Sequence, residues 1–315
     1  MKKLNLLLIG LGQMGKIHKR VIHENSETNL VGVVDSTFEK KYEIKNGVTY
    51  FNKIEDVDFE ECEIDAVIIS TTTISHYEIA NRLINKNIPL LIEKPLSTDI
   101  VEVNKILDTA IKNDVIVRCG LIETYNPIFK YLKNLNLNNI ISINIFRHSP
   151  RVDKNRKLDN VLFDLTLHDI AVLGYLFNNP ELSSISSNFG INENSNESVN
   201  ILCSFESANV MISTSRESQL KIRTWEILTK NNLYKIDLMQ KSINVFDSGF
   251  TNTPDVNNLV ISNANYKSMS FVNHPETAQI QLNSFIENIK QNKLDLDHLE
   301  NVKYSHENIY KIINS

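Results

Sequence analysis

Cysteine is scarce. The 315 residues hold three, Cys62, Cys119 and Cys203, with no C-x-x-C pair among them. An odd, scattered set excludes a disulfide framework and a thiolate zinc site. It points to buried thiols in a reducing compartment, the cytoplasm. An excess of positive charge is missing too: 33 Lys and Arg stand against 38 Asp and Glu, a formal net charge of −5. Neither nucleic acid nor an anionic membrane surface is implied as a partner. No apolar run reaches the length of a membrane span. The start, MKKLNLLLIGLGQMG, sets two lysines before an apolar stretch, yet that stretch breaks at Gly10 and no A-x-A-like cleavage site follows. It reads as a first strand rather than a signal peptide. No internal repeat is visible. What is present is an ordinary globular composition, 42% hydrophobic and 23% charged, long enough for two domains with cores of their own.

Up to Gly120, apolar runs alternate with helical patterns. The runs are Leu4–Gly10, Asn29–Asp35, Asp65–Thr71, Pro89–Glu93 and Val115–Gly120; the helical stretches are Met14–Glu24, Ser75–Asn85 and Thr98–Asn113. Strands apolar on both faces, separated by helices, predict a parallel sheet covered on both sides. The rest reads differently. A short helix is expected after Asn126-Pro127 and an apolar helix over VLFDLTLHDIAVLGYLF. Alternating strands are expected at IISINIFRHS, SVNILCSF, NVMISTS, RTWEILT, LYKIDL and SINVF. That pattern predicts a mainly antiparallel sheet. Thr251–Asn273 reads as a polar loop, and two helices close the chain from Glu276 and from near Leu299.

Gly10-Leu11-Gly12-Gln13-Met14-Gly15 is a G-x-G-x-x-G turn directly after a strand and opening a helix. Gly10 permits the tight turn, Gly12 lets a pyrophosphate approach the backbone, and Gly15 lets helix and strand pack closely. The helix N-terminus then offers its N–H groups to the phosphates. Asp35 ends the second strand 20 residues after Gly15, where an acid accepts hydrogen bonds from ribose hydroxyls and repels a 2′-phosphate. NAD is therefore favoured over NADP. The expected architecture is α/β: an N-terminal Rossmann dinucleotide-binding domain, residues 1–121, then an α+β domain with an open, mainly antiparallel sheet, residues 122–315.

Two further stretches carry chemistry. In PLLIEKPLST, an apolar strand ends abruptly in Glu93-Lys94-Pro95. Ligands of open α/β sheets bind beyond the strands' carboxyl ends, so Lys94 stands where an ammonium can donate to a substrate oxygen. Glu93 is suited to pair with a donor or the ribose, and Pro95 stiffens the turn. A surface Glu-Lys turn is the alternative. In DLTLHD, Asp164 and His168 share a helix face at i and i+4, which suits a general base oriented by a carboxylate. A core histidine satisfied by its helical neighbour is the alternative, and no further Cys/His pair supports a metal.

The glycine turn, Glu93-Lys94-Pro95 and Asp164-x-x-x-His168, in this order, resemble the glucose–fructose oxidoreductase, inositol dehydrogenase and MocA (Gfo/Idh/MocA) family over nearly the whole chain. The stretches CGLIETYNP, Ser149-Pro150-Arg151, DLTLHDIA and PETAQIQLNSFIENIKQNK are similar to the UDP-N-acetylglucosamine 3-dehydrogenase branch. Departures from that branch are STTT at Ser70–Thr73 in place of a proline-bearing loop, Asn160 for glycine, Thr124 for arginine and Ala171 for an acid. The resemblance implies oxidation, with NAD, of the C3 hydroxyl of UDP-N-acetylglucosamine or its uronic acid to a 3-keto sugar nucleotide. Another polyol or pyranose oxidoreductase, such as an inositol dehydrogenase or ketosugar reductase, and a non-catalytic NAD-binding sensor are the alternatives. It makes Lys94, Asp164 and His168 catalytic residues, with the choice of base between Lys94 and His168 open. It places Thr71, Thr73, His76, Glu93 and Lys94 with Gly10–Gly15 and Asp35 on the cofactor, and Lys94, Glu123, Asn126, Arg151, Asp164 and His168 on the substrate. It further implies a homodimer or homotetramer through the sheet's uncovered face, cofactor recycling by 2-oxoglutarate, and a downstream pyridoxal-phosphate aminotransferase that uses the keto sugar for surface-glycan or lipid A synthesis.

Overall fold

The computed structural model describes residues 2–135, 137–150, 159–190, 197–247 and 265–315. They form two compact units, Met1–Tyr125 with Pro275–Glu307, and Asn126–His274 with Asn308–Ser315.

The first unit is built on a seven-stranded sheet in the order β3-β4-β2-β1-β5-β6-β7. Its strands are β1 (Leu4–Ile9), β2 (Thr28–Val34), β3 (Tyr42–Lys45), β4 (Val48–Phe51), β5 (Ala66–Ile69), β6 (Leu90–Ile92) and β7 (Val117–Cys119). Every neighbouring pair is parallel except β3–β4. Leu6, Leu7 and Leu8 are each fully buried, as are Ala66 through Ile69, so both faces of the central strands are covered. From β1 the chain steps to β2 on one side and later to β5 on the other, which puts a topological switch point at the end of β1. Helices α1 (Gln13–Glu24), α2 (His76–Ile84) and α3 (Ile100–Lys112) link the strands. The β3–β4 hairpin was not among the expected strands, although Asn46-Gly47, both at positive φ, is a strong two-residue hairpin signal.

The two C-terminal helices are α6 (Thr277–Gln291) and α7 (Leu296–Ile313). The expected cut after residue 121 puts them with the second part, whereas α6 and most of α7 group with the first. The reason is burial: Ala278, Leu282, Phe285 and Ile286 of α6 share one core with Leu6 and Leu8 of β1 and Val21 and Ile22 of α1. An apolar helix face goes where an apolar sheet face is open, whatever the sequence distance.

The second unit holds an eight-stranded sheet, β15-β14-β13-β12-β8-β11-β10-β9. Its strands are β8 (Ile140–His148), β9 (Ser183–Phe189), β10 (Ser198–Phe205), β11 (Ala208–Ser215), β12 (Ile222–Thr229), β13 (Asn232–Asp237), β14 (Ser242–Asp247) and β15 (Asn265–Ser270). Only β8–β11 is parallel. Alternate residues point inward: Ile143, Ile145 and Arg147 on β8, Val210, Ile212 and Thr214 on β11. Helices α4 (Pro127–Asn134) and α5 (Leu167–Phe177) belong to this unit, and Phe129 meets Trp225 edge-on at 5.2 Å. Ile141 and Leu202, on the alternate positions, stay exposed. Asn265–Ser270, expected within a loop, is an edge strand paired to β14, and the serine-rich β9 edges the other side. Edge strands have one unpaired side and tolerate polar residues, which hides them from hydrophobic pattern. The expected loop's residues 251–264 lie outside the described residues. Among the described residues, no helix is long and apolar enough to cross a membrane.

Candidate functional site

The glycine turn explains itself atom by atom. Gly10 sits at φ +93°, and a Cβ there would lie 2.4 Å from the Ser70 carbonyl oxygen. A Cβ on Gly15 would lie 2.1 Å from the Gly10 carbonyl oxygen. Both glycines are demanded by the protein's own packing. Gly12 is different, because a Cβ there would meet nothing within 4 Å. It is the N-cap of α1, which has no side-chain cap and no acid in its first turn. Leu11, Gln13 and Met14 complete the turn. An open space beside a bare helix N-terminus is a cradle for an anion, so the residues present fit the pyrophosphate of a dinucleotide.

Asp35 follows β2. One carboxylate oxygen accepts the Leu11 N–H at 2.6 Å; the other accepts the Thr37 N–H at 3.0 Å and its hydroxyl at 2.6 Å. Partial burial works against the charge, but the Thr37 and Leu11 hydrogen bonds together outweigh it and hold the carboxyl below its usual range. The acid is thereby kept ionised and aimed beside the glycine turn, as a ribose partner must be.

The Glu93-Lys94-Pro95 turn follows β6 at the carboxyl edge of the same sheet. Lys94 is half-buried, while Glu93 and Pro95 are buried. The Glu93 carboxylate faces His18 of α1, whose Nε2 donates to Oε1 at 2.7 Å, and its other oxygen accepts the Lys94 N–H at 3.3 Å. A Cβ on Gly120 would lie 2.8 Å from that second oxygen and 3.0 Å from the Glu93 Cα, so a larger residue after β7 would push on Glu93. Glu93 is thus engaged by His18 and the Lys94 N–H.

The loop after β5 carries Thr71 and Thr73. The Ser75 hydroxyl donates to Thr71 Oγ1 at 2.8 Å, and Thr73 opens a single 3-10 turn before α2. His76 is buried. Its Nδ1 lies 2.9 Å from the Pro95 carbonyl oxygen and its Nε2 3.2 Å from that of Thr71. The ring thus lies between two backbone carbonyl oxygens, and its N–H donates to one of them. Glu123 is buried in the 3-10 turn Ile122–Tyr125. Asn126 is the N-cap of α4, its side chain accepting the Ile128 N–H at 3.1 Å, with Pro127 at N1.

In the second unit, Asp164 and His168 lie where the sequence sets them, but the local helix differs. Leu162–Thr166 is a π-helical turn that runs into α5, and His168 sits in the first turn of α5. Wide turns of this kind are rare and frequent at functional sites, and nothing in Leu-Phe-Asp-Leu-Thr announces one. The Asp164 carboxylate accepts from the guanidinium of Arg216 at 3.1 Å. That buried arginine also donates to Glu197 at 2.6 Å and to the Asp159 carbonyl oxygen at 2.8 Å. Beside His168, Asp169 is fully buried and held by Arg147 through two bonds of 2.6 and 3.0 Å, with the Trp225 N–H at 3.3 Å from the same carboxylate. His18, Arg147 and Arg216 pair with residues in or beside these motifs, and motif spacing did not single them out. Arg151 lies outside the described residues. Among those described, no group of three or more His, Cys, Asp or Glu is gathered as for a metal ion.

Residues 4–121 match the family described as "Oxidoreductase family, NAD-binding Rossmann fold" (GFO_IDH_MocA). The chain is 29% identical over 164 residues to a UDP-N-acetylglucosamine 3-dehydrogenase of Acidithiobacillus ferrooxidans, covering 52% of this chain and 51% of the relative. It is 26% identical over 178 residues to a myo-inositol 2-dehydrogenase of Thermotoga maritima, covering 54% and 53%. The alignments thus span about half the length of these curated relatives. Among solved structures, the fold is similar to UDP-N-acetylglucosamine 3-dehydrogenase GnnA from A. ferrooxidans, with a TM-score of 0.82 at 17% identity over 99% of this chain and 97% of that one. It is also similar to GenD2 from gentamicin A biosynthesis, solved in complex with NAD, with a TM-score of 0.78 at 16% identity over 100% and 95%.

Proposed function

We propose that the chain, whose residues 4–121 match the NAD-binding Rossmann domain of the Gfo/Idh/MocA oxidoreductase family, is an NAD-dependent dehydrogenase of a sugar or sugar nucleotide. The observation that carries this reading is the pairing, on one sheet edge, of an open Gly12 cradle with an ionised Asp35 and a lysine turn after β6. When bound, NAD+ supplies a hydride acceptor. The chain's own residues then handle the proton. Lys94 donates to the reacting oxygen and stabilises developing alkoxide character, and His168 or Lys94 takes the hydroxyl proton. Asp164 orients His168, and the Arg216 guanidinium holds Asp164 in place.

On this reading the substrate is UDP-N-acetylglucosamine, or its uronic acid, oxidised at C3. The similarity to the 3-dehydrogenase of A. ferrooxidans supports it. The similarity to a myo-inositol 2-dehydrogenase supports a second reading, oxidation of a polyol. Thr124, Asn160 and Ala171 depart from the 3-dehydrogenase pattern, which keeps the second reading under test. A cytoplasmic oligomer, Arg151 on the nucleotide's phosphates, recycling by 2-oxoglutarate and an aminotransferase acting on the keto product complete the proposal.

The test is to follow NADH absorbance with NAD+ against UDP-sugars, myo-inositol and free pyranoses, with and without 2-oxoglutarate. Turnover of UDP-N-acetylglucosamine or its uronic acid is expected. Turnover confined to polyols selects the second reading, and NAD binding with no turnover of any member refutes both.

A further inference from the structure

Three imidazoles from three helices contact the turn on either side of Lys94, one through the Glu93 carboxylate and two through backbone atoms. His18 of α1 donates to the Glu93 carboxylate at 2.7 Å. His76 of α2 has Nδ1 2.9 Å from the Pro95 carbonyl oxygen. His306 of α7 accepts the Leu96 N–H on Nε2 at 3.2 Å, which leaves its Nδ1–H to donate to the Val302 carbonyl oxygen at 2.7 Å. Residues 93, 95 and 96 are therefore each tied to a ring, and the three rings are almost wholly buried. A buried histidine is a costly choice where a backbone group could be met by water, and three converging on one four-residue turn exceed what closing a loop requires.

We propose that His18, His76 and His306 are positioning residues that set the direction in which the Lys94 ammonium leaves the sheet edge. None of them touches substrate in this account. Each acts through the turn. α1 begins at the glycine cradle, so the His18–Glu93 bond ties the lysine turn to the helix that faces the cofactor's phosphates. α2 begins just after the Thr71 loop, and its first residue, His76, sets its ring between that loop's carbonyl oxygen and that of Pro95. His306 adds the C-terminal helix, which the first 125 residues cannot supply themselves. The inference rests on the proposed role of Lys94, and its primary readout is independent of turnover.

The experiment uses the full chain, reductively methylated with 13C so that every lysine gives an NMR signal, with Lys94 assigned by its loss in K94R. The variants are H18L, H76L and H306L, with H306Q as the conservative control, since a glutamine amide both accepts and donates. In folded leucine variants the Lys94 signal is expected to move toward the exposed lysines, and in H306Q to return. With a substrate in hand, kcat is expected to fall on the order of 10- to 100-fold in the leucine variants, with cofactor affinity held within about twofold. An unmoved Lys94 signal in folded leucine variants overturns the proposal. If those variants do not fold, 15N shifts of the wild-type rings decide: a proton on Nδ1 of His306 supports the frame, and one on Nε2 overturns it. A Lys94 signal that responds in a protein that oxidises no sugar leaves the frame standing and refutes the proposed activity alone.

Discussion

Arg216 reaches Asp164 across 52 residues of sequence, its guanidinium donating to the carboxylate at 3.1 Å. The same side chain, 5% exposed, holds Glu197 at 2.6 Å. One buried cation thus stabilises two acids, and the acid chosen from the sequence as a catalytic partner is held by strand β11's end rather than by its helix alone.

Removing that cation leaves two partly buried carboxylates uncompensated. R216M is expected to lower unfolding free energy by about 3–5 kcal/mol, the range for breaking a buried pair from one side. R216K, with a point charge instead of a fork, should lose less stability but still lower kcat. Urea denaturation and steady-state rates check this, and wild-type stability in R216M would show that the hub is not structural.

Gly12 and Gly15 are expected to separate binding from folding. In G15A the Cβ would sit 2.1 Å from the Gly10 carbonyl oxygen, so the turn must shift and melting temperature fall. In G12A the Cβ enters open space at an ordinary φ of −66°. Stability should then stay within about 1 kcal/mol of wild type, since Gly→Ala at a compatible φ is neutral or mildly stabilising. NAD affinity, read by NADH fluorescence, should drop in both.

Asp35 is held below the ordinary carboxylate range by Thr37 and Leu11, so its charge is constant above about pH 5. D35S should weaken NAD binding by about tenfold, one lost charge-assisted contact, and narrow the gap to NADP by removing repulsion of the 2′-phosphate. Titration with both cofactors reads the ratio. An unchanged NAD/NADP preference would remove Asp35 from the ribose.

His306 makes stability acid-sensitive. Burial pushes its pKa down to about 4, with only the Val302 carbonyl pulling the other way. In the unfolded chain the ring titrates near 6.5. Between those values the unfolded chain binds the extra proton, so stability rises with pH there. The contribution is complete above about pH 6.5 and is lost as pH falls toward 4, about 3 kcal/mol in all. His298, which accepts the Cys119 N–H at 3.0 Å and is shifted down chiefly by burial, adds in the same direction. H306Q should flatten the melting-temperature profile between pH 4 and 6.5. A profile as steep as that of the wild-type protein would mean other groups carry the acid response.

The features that could be read without a structure are those written at fixed short offsets. The glycine turn, Asp35 at the next strand end, the lysine turn and the Asp164–His168 spacing each follow from local backbone geometry. The parallel class of the first sheet follows from the alternation of strands with helices, and the mainly antiparallel class of the second from its short alternating strands, whereas the strand orders do not. The Asn46-Gly47 hairpin was legible on the same terms.

What was not legible lies in partners far apart in the chain. His18 meets Glu93 across 75 residues, Arg216 meets Asp164 across 52, and His306 meets Leu96 across 210. No periodicity records such pairs, because a buried polar group asks only for a complementary atom within about 3 Å and is indifferent to sequence separation. The sequence by itself determined the classes of element, the cofactor cradle and the candidates for reactive side chains, since these depend on steric and charge rules acting within a few residues. The tertiary structure alone decided that α6 completes the first core and that the imidazoles at 18, 76 and 306 enclose the Lys94 turn. Burial of apolar area and pairing of buried polar atoms are settled only when distant segments compete for the same space.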